Sequence, residues 1–395
     1  MKTRWLISIK YFLLLLVTTA TTEGMQAQRP NQLDFNGQLV GWTTMSFGDP
    51  LLVQPGARFV PTLTGQLGLD KSNYLDFEAS LNINGSVTWS DWTHADDNFQ
   101  FKPYRIWGRL AGEKYELRAG LQKINFGSAR MFRPLMWFDG MDVRDPLQLT
   151  DGVYALLTKY YFENNANIWL WGLMGNKNPK GFEIFGSVPD RPELGGRVEL
   201  PLGPGEIGLS YHHRTLSYSH NRLGMVLPDL QLKENRFGFN GKWDVVVGLW
   251  LEGSISLSEV STLSSLYVPP KSDMLNVGAD YTIPIGNGVG VTLEYFRYHT
   301  GDELFTGGAA AQLLGTQLTY PLNMLDNVSA MLFYMPSTAG DMLLNYVSWS
   351  RMYDNISIYL MLFWNPDNYS IPAFQSGSSN LFAGKGFQLM FSYNF

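Results

Sequence analysis

The chain has 395 residues, no cysteine and a formal charge of −6, with 45% hydrophobic residues, 14% aromatic residues and 40 glycines. The missing cysteines exclude a disulfide scaffold, a thiolate metal site and a cysteine nucleophile, and the acidic balance argues against nucleic acid as a partner. A mean hydropathy of −0.11 is too low for a bundle of apolar membrane helices, yet it suits strands that alternate apolar and polar residues.

In chain order, Lys2 and Arg4 precede an apolar run from Trp5 to Val17, and small residues follow at Thr18, Thr19, Ala20 and Ala27. This is the layout of a secretory signal peptide over 1–27, cleaved after Ala20 or Ala27; the apolar core is far shorter than the ~20 residues of a membrane anchor. Lys2, Arg4, Lys10 and Glu23 leave with it, which takes the net charge from −6 to −8. The remainder, 28–395, reads as one all-β domain. Strands are expected at 34–47, 58–70, 73–90, 99–112, 115–127, 152–163, 165–176, 192–202, 205–218, 235–242, 245–260, 272–284, 288–300, 311–323, 327–336, 342–353, 355–366 and 384–395. Short turns rich in Gly, Asn, Asp and Pro follow every second strand, at 70–73, 111–114, 163–165, 203–205, 241–244, 285–288, 325–327 and 353–355. Tight turns alternating with long loops predict a transmembrane antiparallel up-and-down β-barrel of about 18 strands (16–18), with both termini periplasmic.

The faces can be read by parity. In 75–89, Leu75, Phe77, Ala79, Leu81, Ile83, Val87 and Trp89 alternate with Asp76, Glu78, Ser80, Asn82, Asn84, Ser86 and Thr88. A β-sandwich also alternates, but long strands with Trp and Tyr near their ends favour a bilayer. A barrel of this size leaves an aqueous lumen. The inward set contains Arg105, Arg109, Glu116, Arg118, Arg197, Glu199, Arg214, Arg236, Glu252 and Glu294. These charges either pair across the wall and stiffen it or sort solutes by sign and size.

The connection 127–151 is unusual. Met131, Phe132, Leu135, Met136, Trp137 and Phe138 are too much apolar surface for an exposed loop. Folding inward would bury them and carry Arg130, Arg133, Asp139, Asp142, Arg144 and Asp145 to the narrowest part of the pore; the alternative is a loop packed on its own Arg–Asp pairs. Further outer loops are expected near 177–191, 217–234, 258–271 and 367–383, long enough to meet a surface partner or close the mouth.

Arg118-Ala-Gly-Leu-Gln122, Phe126-Gly127, Phe132-Arg-Pro134, Phe138-Asp139 and Arg144-Asp-Pro-Leu147 resemble the strand-and-loop pattern of outer-membrane porin families, including alginate-export-like and related single-chain barrels. The resemblance spans Arg118 to Leu147 and implies an eighteen-strand-type pore with an arginine-bearing loop in the lumen, for polar or anionic solutes. The chain departs from it in being acidic overall and in lacking a continuous basic lining for a polyanion. At the other end Phe387, Leu389, Phe391, Tyr393 and Phe395 alternate to the terminus. In a soluble protein such an edge would template aggregation. Here Phe391, Tyr393 and Phe395 resemble the closing signal of Gram-negative outer-membrane barrels, which their assembly machinery reads.

Catalysis finds little support. The histidines are His94, His212, His213, His220 and His299; by parity His213 faces outward, where a lipid hydrolase would need its base, but no Gly-x-Ser-x-Gly elbow accompanies it. His212 and His213 point to opposite faces and cannot share a metal, no zinc spacing is present, and Asp96-Asp97 or Asp139–Asp145 are weak loop candidates for calcium. No cofactor is expected. The sequence therefore predicts a non-enzymatic outer-membrane porin for passive diffusion of small polar or anionic solutes, narrowed by 127–151. The other readings are a closed barrel serving as scaffold in a homo-oligomer or outer-membrane complex and, more remotely, a hydrolase.

Overall fold

The computed structural model describes residues 31–395 except 223, 225, 228–229, 261–267, 337–339 and 368–380. The expected signal segment 1–27 and the centres of the expected loops 258–271 and 367–383 lie outside the described residues.

The strands are β1 (Gln32–Ser46), β2 (Leu52–Gly68), β3 (Tyr74–Ser90), β4 (Thr93–Ala111), β5 (Tyr115–Gln122), β6 (Val153–Tyr161), β7 (Asn167–Leu173), β8 (Phe185–Ser187), β9 (Glu193–Leu202) and β10 (Gly205–Asn221). They continue with β11 (Gln231–Asp244), β12 (Gly248–Ser258), β13 (Lys271–Ile283), β14 (Val289–Gly301), β15 (Ala309–Pro321), β16 (Asp326–Met335), β17 (Met342–Met352), β18 (Ile356–Trp364) and β19 (Lys385–Asn394). Each wall strand pairs antiparallel with its neighbours in sequence, except that β7 pairs directly with β9. Short β8 only extends the ladder on β10, where Leu216 meets Ser187. Eighteen strands thus form the wall, and β1 pairs with β19 to close it.

The closing seam runs from Gln38 opposite Asn394 to Ser46 opposite Gly386. Phe395 finishes it: its amide and carbonyl exchange hydrogen bonds with Gly37, both 3.1 Å, and its ring lies 5.9 Å from that of Phe35 and 6.2 Å from that of Phe59. Closure removes the edge that an apolar last strand would otherwise present. Outside, the wall is apolar; inside, it is largely polar except on β14–β18, whose inner face carries Phe296, Leu313, Met331, Phe333, Leu344 and Phe363. On β12 Leu249 is 44% exposed whereas Glu252 is wholly buried. Among the described residues there is no helix.

Several boundaries differ from expectation. β2 begins at Leu52 rather than 58, and β4 at Thr93 rather than 99, with β3 and β4 joined tightly through Asp91 and Trp92 at φ 48° and 64°. Asp96 and Asp97 therefore stand in a paired strand opposite Thr88 and Val87, not in a cation-binding loop. The expected turn 241–244 belongs to β11, and 217–221 and 231–234 belong to β10 and β11. β5 stops at Gln122, five residues early, because Ile124 and Phe126 leave the wall and bury themselves among Trp137, Leu157 and Trp171.

Candidate functional site

The interior is divided unequally. Segment 123–152 crosses from β5 to the far wall and is held there by its backbone. Glu252 on β12 accepts the amides of Ser128 (2.7 Å), Ala129 (2.9 Å) and Leu135 (2.8 Å). Glu294 on β14 accepts those of Arg130 (2.6 Å), Met131 (3.0 Å) and Phe132 (2.9 Å). Asn276 on β13 reinforces the second of these, donating to the Phe132 carbonyl at 2.8 Å and to Glu294 at 3.0 Å. A carboxylate offers several lone-pair sites, so two side chains can satisfy six main-chain donors that would otherwise be stranded away from water. Gly127 makes the approach possible: its φ is +100°, and a Cβ there would strike the Glu252 carboxylate.

Side chains complete the attachment. Phe132 is fully buried against Phe296 and Phe333, at ring distances of 5.6 and 5.4 Å, and Trp137 donates to Ser254 at 3.2 Å. Segment 174–192 joins from above. Phe182 stacks on Phe296 at 4.8 Å, and Glu183 binds Arg214 (2.9 Å) and Arg236 (2.5 Å), which Glu234 also holds at 2.6 and 2.7 Å.

The residues expected to line a pore all occupy the inner face, but most are engaged. Glu252 and Glu294 hold the loop, and Arg214 and Arg236 share two carboxylates. Arg197 pairs with Glu199 at 2.6 Å and reaches Ser210 at 3.1 Å. Nearer the short-turn end, Arg109 bridges Asp76 (2.6 Å) and Glu116 (3.2 Å), Arg118 meets Glu116 at 3.1 Å, and Arg105 donates to the Thr150 carbonyl at 2.8 Å. The loop residues divide likewise. Arg133 and Asp139 are buried and paired at 3.4 Å, with Arg133 also bonded to Asn125. Arg130 is half-exposed and binds Asp280. Arg144 is buried and grips Asp142 at 2.8 Å with its guanidinium over the Phe382 ring. Burial holds the half-buried Asp145 carboxyl above the ordinary aspartate range, opposed by the Leu147 amide and by Arg58.

Among the described residues, the interior against β1–β4 stays open. A polar cavity of about 550 Å³ is bounded there by these strands and by Leu149–Asp151. A β-bulge shapes it: Ser80 pairs with Arg105 and Leu81 with Pro103, so Tyr104 is unopposed and the parity of β4 reverses. Lys102 thereby turns into the lumen above Arg105, where it meets Asp151 at 2.8 Å. Bulges commonly re-aim side chains in this way. Arg58 on β2 lines the same space. Counting back from Thr62 by twos would have placed Arg58 inward, but the expected strand began at it; nothing in the sequence announced the bulge, Asn276 or Glu183.

Among the described residues no three His, Asp or Glu side chains converge as a metal site. His212 is buried, bonded to Trp171 (3.2 Å) and Glu193 (3.0 Å). His213, on the other face, is 2.9 Å from Asn235.

No family model matches the chain, and no curated protein matches it. Solved structures do. OpdQ of Pseudomonas aeruginosa aligns over 93% of this chain and 98% of its own with a TM-score of 0.55 at 10% identity. OccK5 of the same organism gives 0.54 at 12% identity, over 92% and 98%. Wzi of Escherichia coli, described as an outer membrane protein involved in group 1 capsule assembly and a carbohydrate-binding β-barrel, gives 0.52 at 12% identity, over 92% and 84%. At such identities they show the fold alone: a closed antiparallel β-barrel, the architecture those outer-membrane proteins share.

Proposed function

We propose that the chain is an outer-membrane channel through which small polar solutes diffuse passively, exported by the segment 1–27 and assembled through Phe391, Tyr393 and Phe395. One observation carries this reading. Within an apolar exterior, the two inserted segments pack on one side of the interior and leave the β1–β4 side as a polar space of about 550 Å³. Segment 127–151 sets the bore. The sign of the passing solute is set less by Arg133 and Arg144, which are committed to Asp139 and Asp142, than by Arg58 and Lys102 against Asp96, Asp97 and Asp151, which line the open side. These charges nearly cancel, so anions gain no large advantage.

Planar-bilayer recording of the refolded chain tests the channel. Stable ohmic steps with a small reversal potential under a salt gradient are expected, and deletion of 131–143 should raise conductance. A correctly folded but silent barrel refutes it. That outcome would favour the second reading, a closed barrel acting as a scaffold, which the filling of the β6–β16 side by two loops supports.

A further inference from the structure

We propose that the open β1–β4 side of the lumen is a binding stretch for uncharged oligosaccharides, because it sets a ladder of primary amides beside a flat indole platform and balances its charges. The proposal rests on the channel reading for its role in transit, but binding itself does not depend on it.

The amides come from three adjacent strands. Gln54 on β2, Asn82 and Asn84 on β3, and Asn98 and Gln100 on β4 all line the cavity. Asn82 pairs with Lys102, Asn84 with Gln100 and Ser86 with Asn98, so the polar groups sit side by side across the ladder. Along β3 they recur every second residue, roughly 6.6 Å apart, which lets one sugar unit be released to the next set of partners without a large step. A primary amide presents a carbonyl acceptor and two N–H donors from one rigid group, which matches neighbouring hydroxyls. Internal bonds leave much of that capacity: Gln54 donates to Thr88 at 2.9 Å and Asn84 to Asn82 at 3.0 Å, and each donor's carbonyl can still accept.

The platform is Trp42 on β1. Its register partner is Gly56, and a Cβ at Gly56 would strike the indole ring, so the ring lies flat on the wall over the glycine. The half-buried indole borders the cavity with the Arg58 guanidinium 5.7 Å from its ring centre, so a pyranose would rest its C–H face on the part of the ring that Arg58 leaves uncovered and could meet that guanidinium with a hydroxyl. Charge argues in the same direction. Lys102 is tied to Asp151, and Arg58 faces a wall that also holds Asp96 and Asp97. Arg58 has no ion pair among the described residues and its buried Nε has no hydrogen-bond partner, but three carboxylates line the cavity against two cations, so the net field does not favour an anion and neutral hydrogen-bonding groups are in excess.

The test uses the refolded full chain in planar bilayers with maltohexaose and xylohexaose as probes and polyethylene glycol of matched size as control. Reversible current interruptions by at least one sugar, absent with the glycol, are expected. Trp42→Ala should weaken the interruption constant about tenfold, the equivalent of ~1.4 kcal/mol. Asn84→Ala combined with Gln100→Ala should weaken it similarly. Trp42→Phe keeps an aromatic plane and serves if the alanine variant fails to fold. Equal block by sugar and glycol, no block by either sugar in a conducting barrel, or a Trp42→Ala variant that blocks as well as the parent overturns the proposal. If the folded protein does not conduct, the channel reading fails by itself. Calorimetric titration of both sugars into the detergent-solubilised barrel then decides binding: saturable heat abolished by Trp42→Ala supports the site, and no heat overturns it.

Discussion

Replacing Glu294 by alanine should free one end of the inserted segment. The substitution removes the acceptor for the amides of Arg130, Met131 and Phe132, at 2.6, 3.0 and 2.9 Å. A buried donor without a partner costs about 1–3 kcal/mol, so keeping the segment in place would cost roughly 3–9 kcal/mol. What opposes release at that end is the burial of the Phe132 and Met131 side chains, together about 3–6 kcal/mol, and the Asn276 bond to the Phe132 carbonyl. The balance narrowly favours lifting 130–132 into water, while Glu252 retains Ser128, Ala129 and Leu135. Limited trypsin digestion of the folded barrel reads this directly. Cleavage after Arg130 should appear in the variant and be absent from the parent, whereas Arg133 precedes Pro134 and stays resistant in both. Single-channel records should show higher and noisier conductance. Glu294→Gln, which keeps one oxygen but sets an NH₂ against the amides, should fall between. A Glu294→Ala variant that resists trypsin and conducts like the parent would refute the view that the carboxylate holds the segment.

Gly127→Ala should also loosen the segment, since it demands a left-handed φ of an alanine and drives its Cβ into Glu252; a loss of about 1–3 kcal/mol should appear as increased amide exchange over 128–135. Glu183→Gln leaves Arg214 and Arg236 sharing Glu234 alone, and removing one partner from a buried network costs about 3–5 kcal/mol, to be read as a lower unfolding temperature of the folded band in gel-mobility assays. Asp145 is held above the usual carboxylate range in the folded chain, so the native state keeps the extra proton in the window above 3.8 and packing of the segment weakens as pH rises through it; Asp145→Asn should remove that dependence and protect 142–148 at pH 7 by hydrogen exchange. Deleting Phe395 removes the ring against Phe35 and Phe59 and both bonds to Gly37, and should reduce the yield of folded barrel on refolding into vesicles.

The barrel was legible in the sequence because a wall between an apolar and a polar medium stamps a period of two on every strand. Legibility failed where that contrast fades. Residues 93–98, Thr-His-Ala-Asp-Asp-Asn, are mostly polar on both faces, so the start of β4 gave no signal although all of it but the bulged Ala95 is paired. Ile124 and Phe126 continue the alternation past the end of β5 but bury themselves inside rather than facing outward. The inward charges followed from parity alone. Their partners did not, because contacts such as Glu252 to Ser128 join residues more than a hundred positions apart through a loop path that local pattern cannot encode. The bulge at Tyr104 and the resulting turn of Lys102 into the lumen were invisible for the same reason.

The clamp that holds the inserted segment grips main-chain amides, not side chains. Selection on Glu252 and Glu294 therefore acts on the backbone path after Gly127, while the side chains of 128–131 answer to separate contacts, Ser128 to Asn240, Arg130 to Asp280 and Met131 to the apolar wall. Distant relatives should then be found more readily by two acidic positions at matched depth on wall strands than by any similarity in the segment itself. For an engineer, the same separation offers a socket: new side chains can be presented across the lumen on an attachment that does not depend on them.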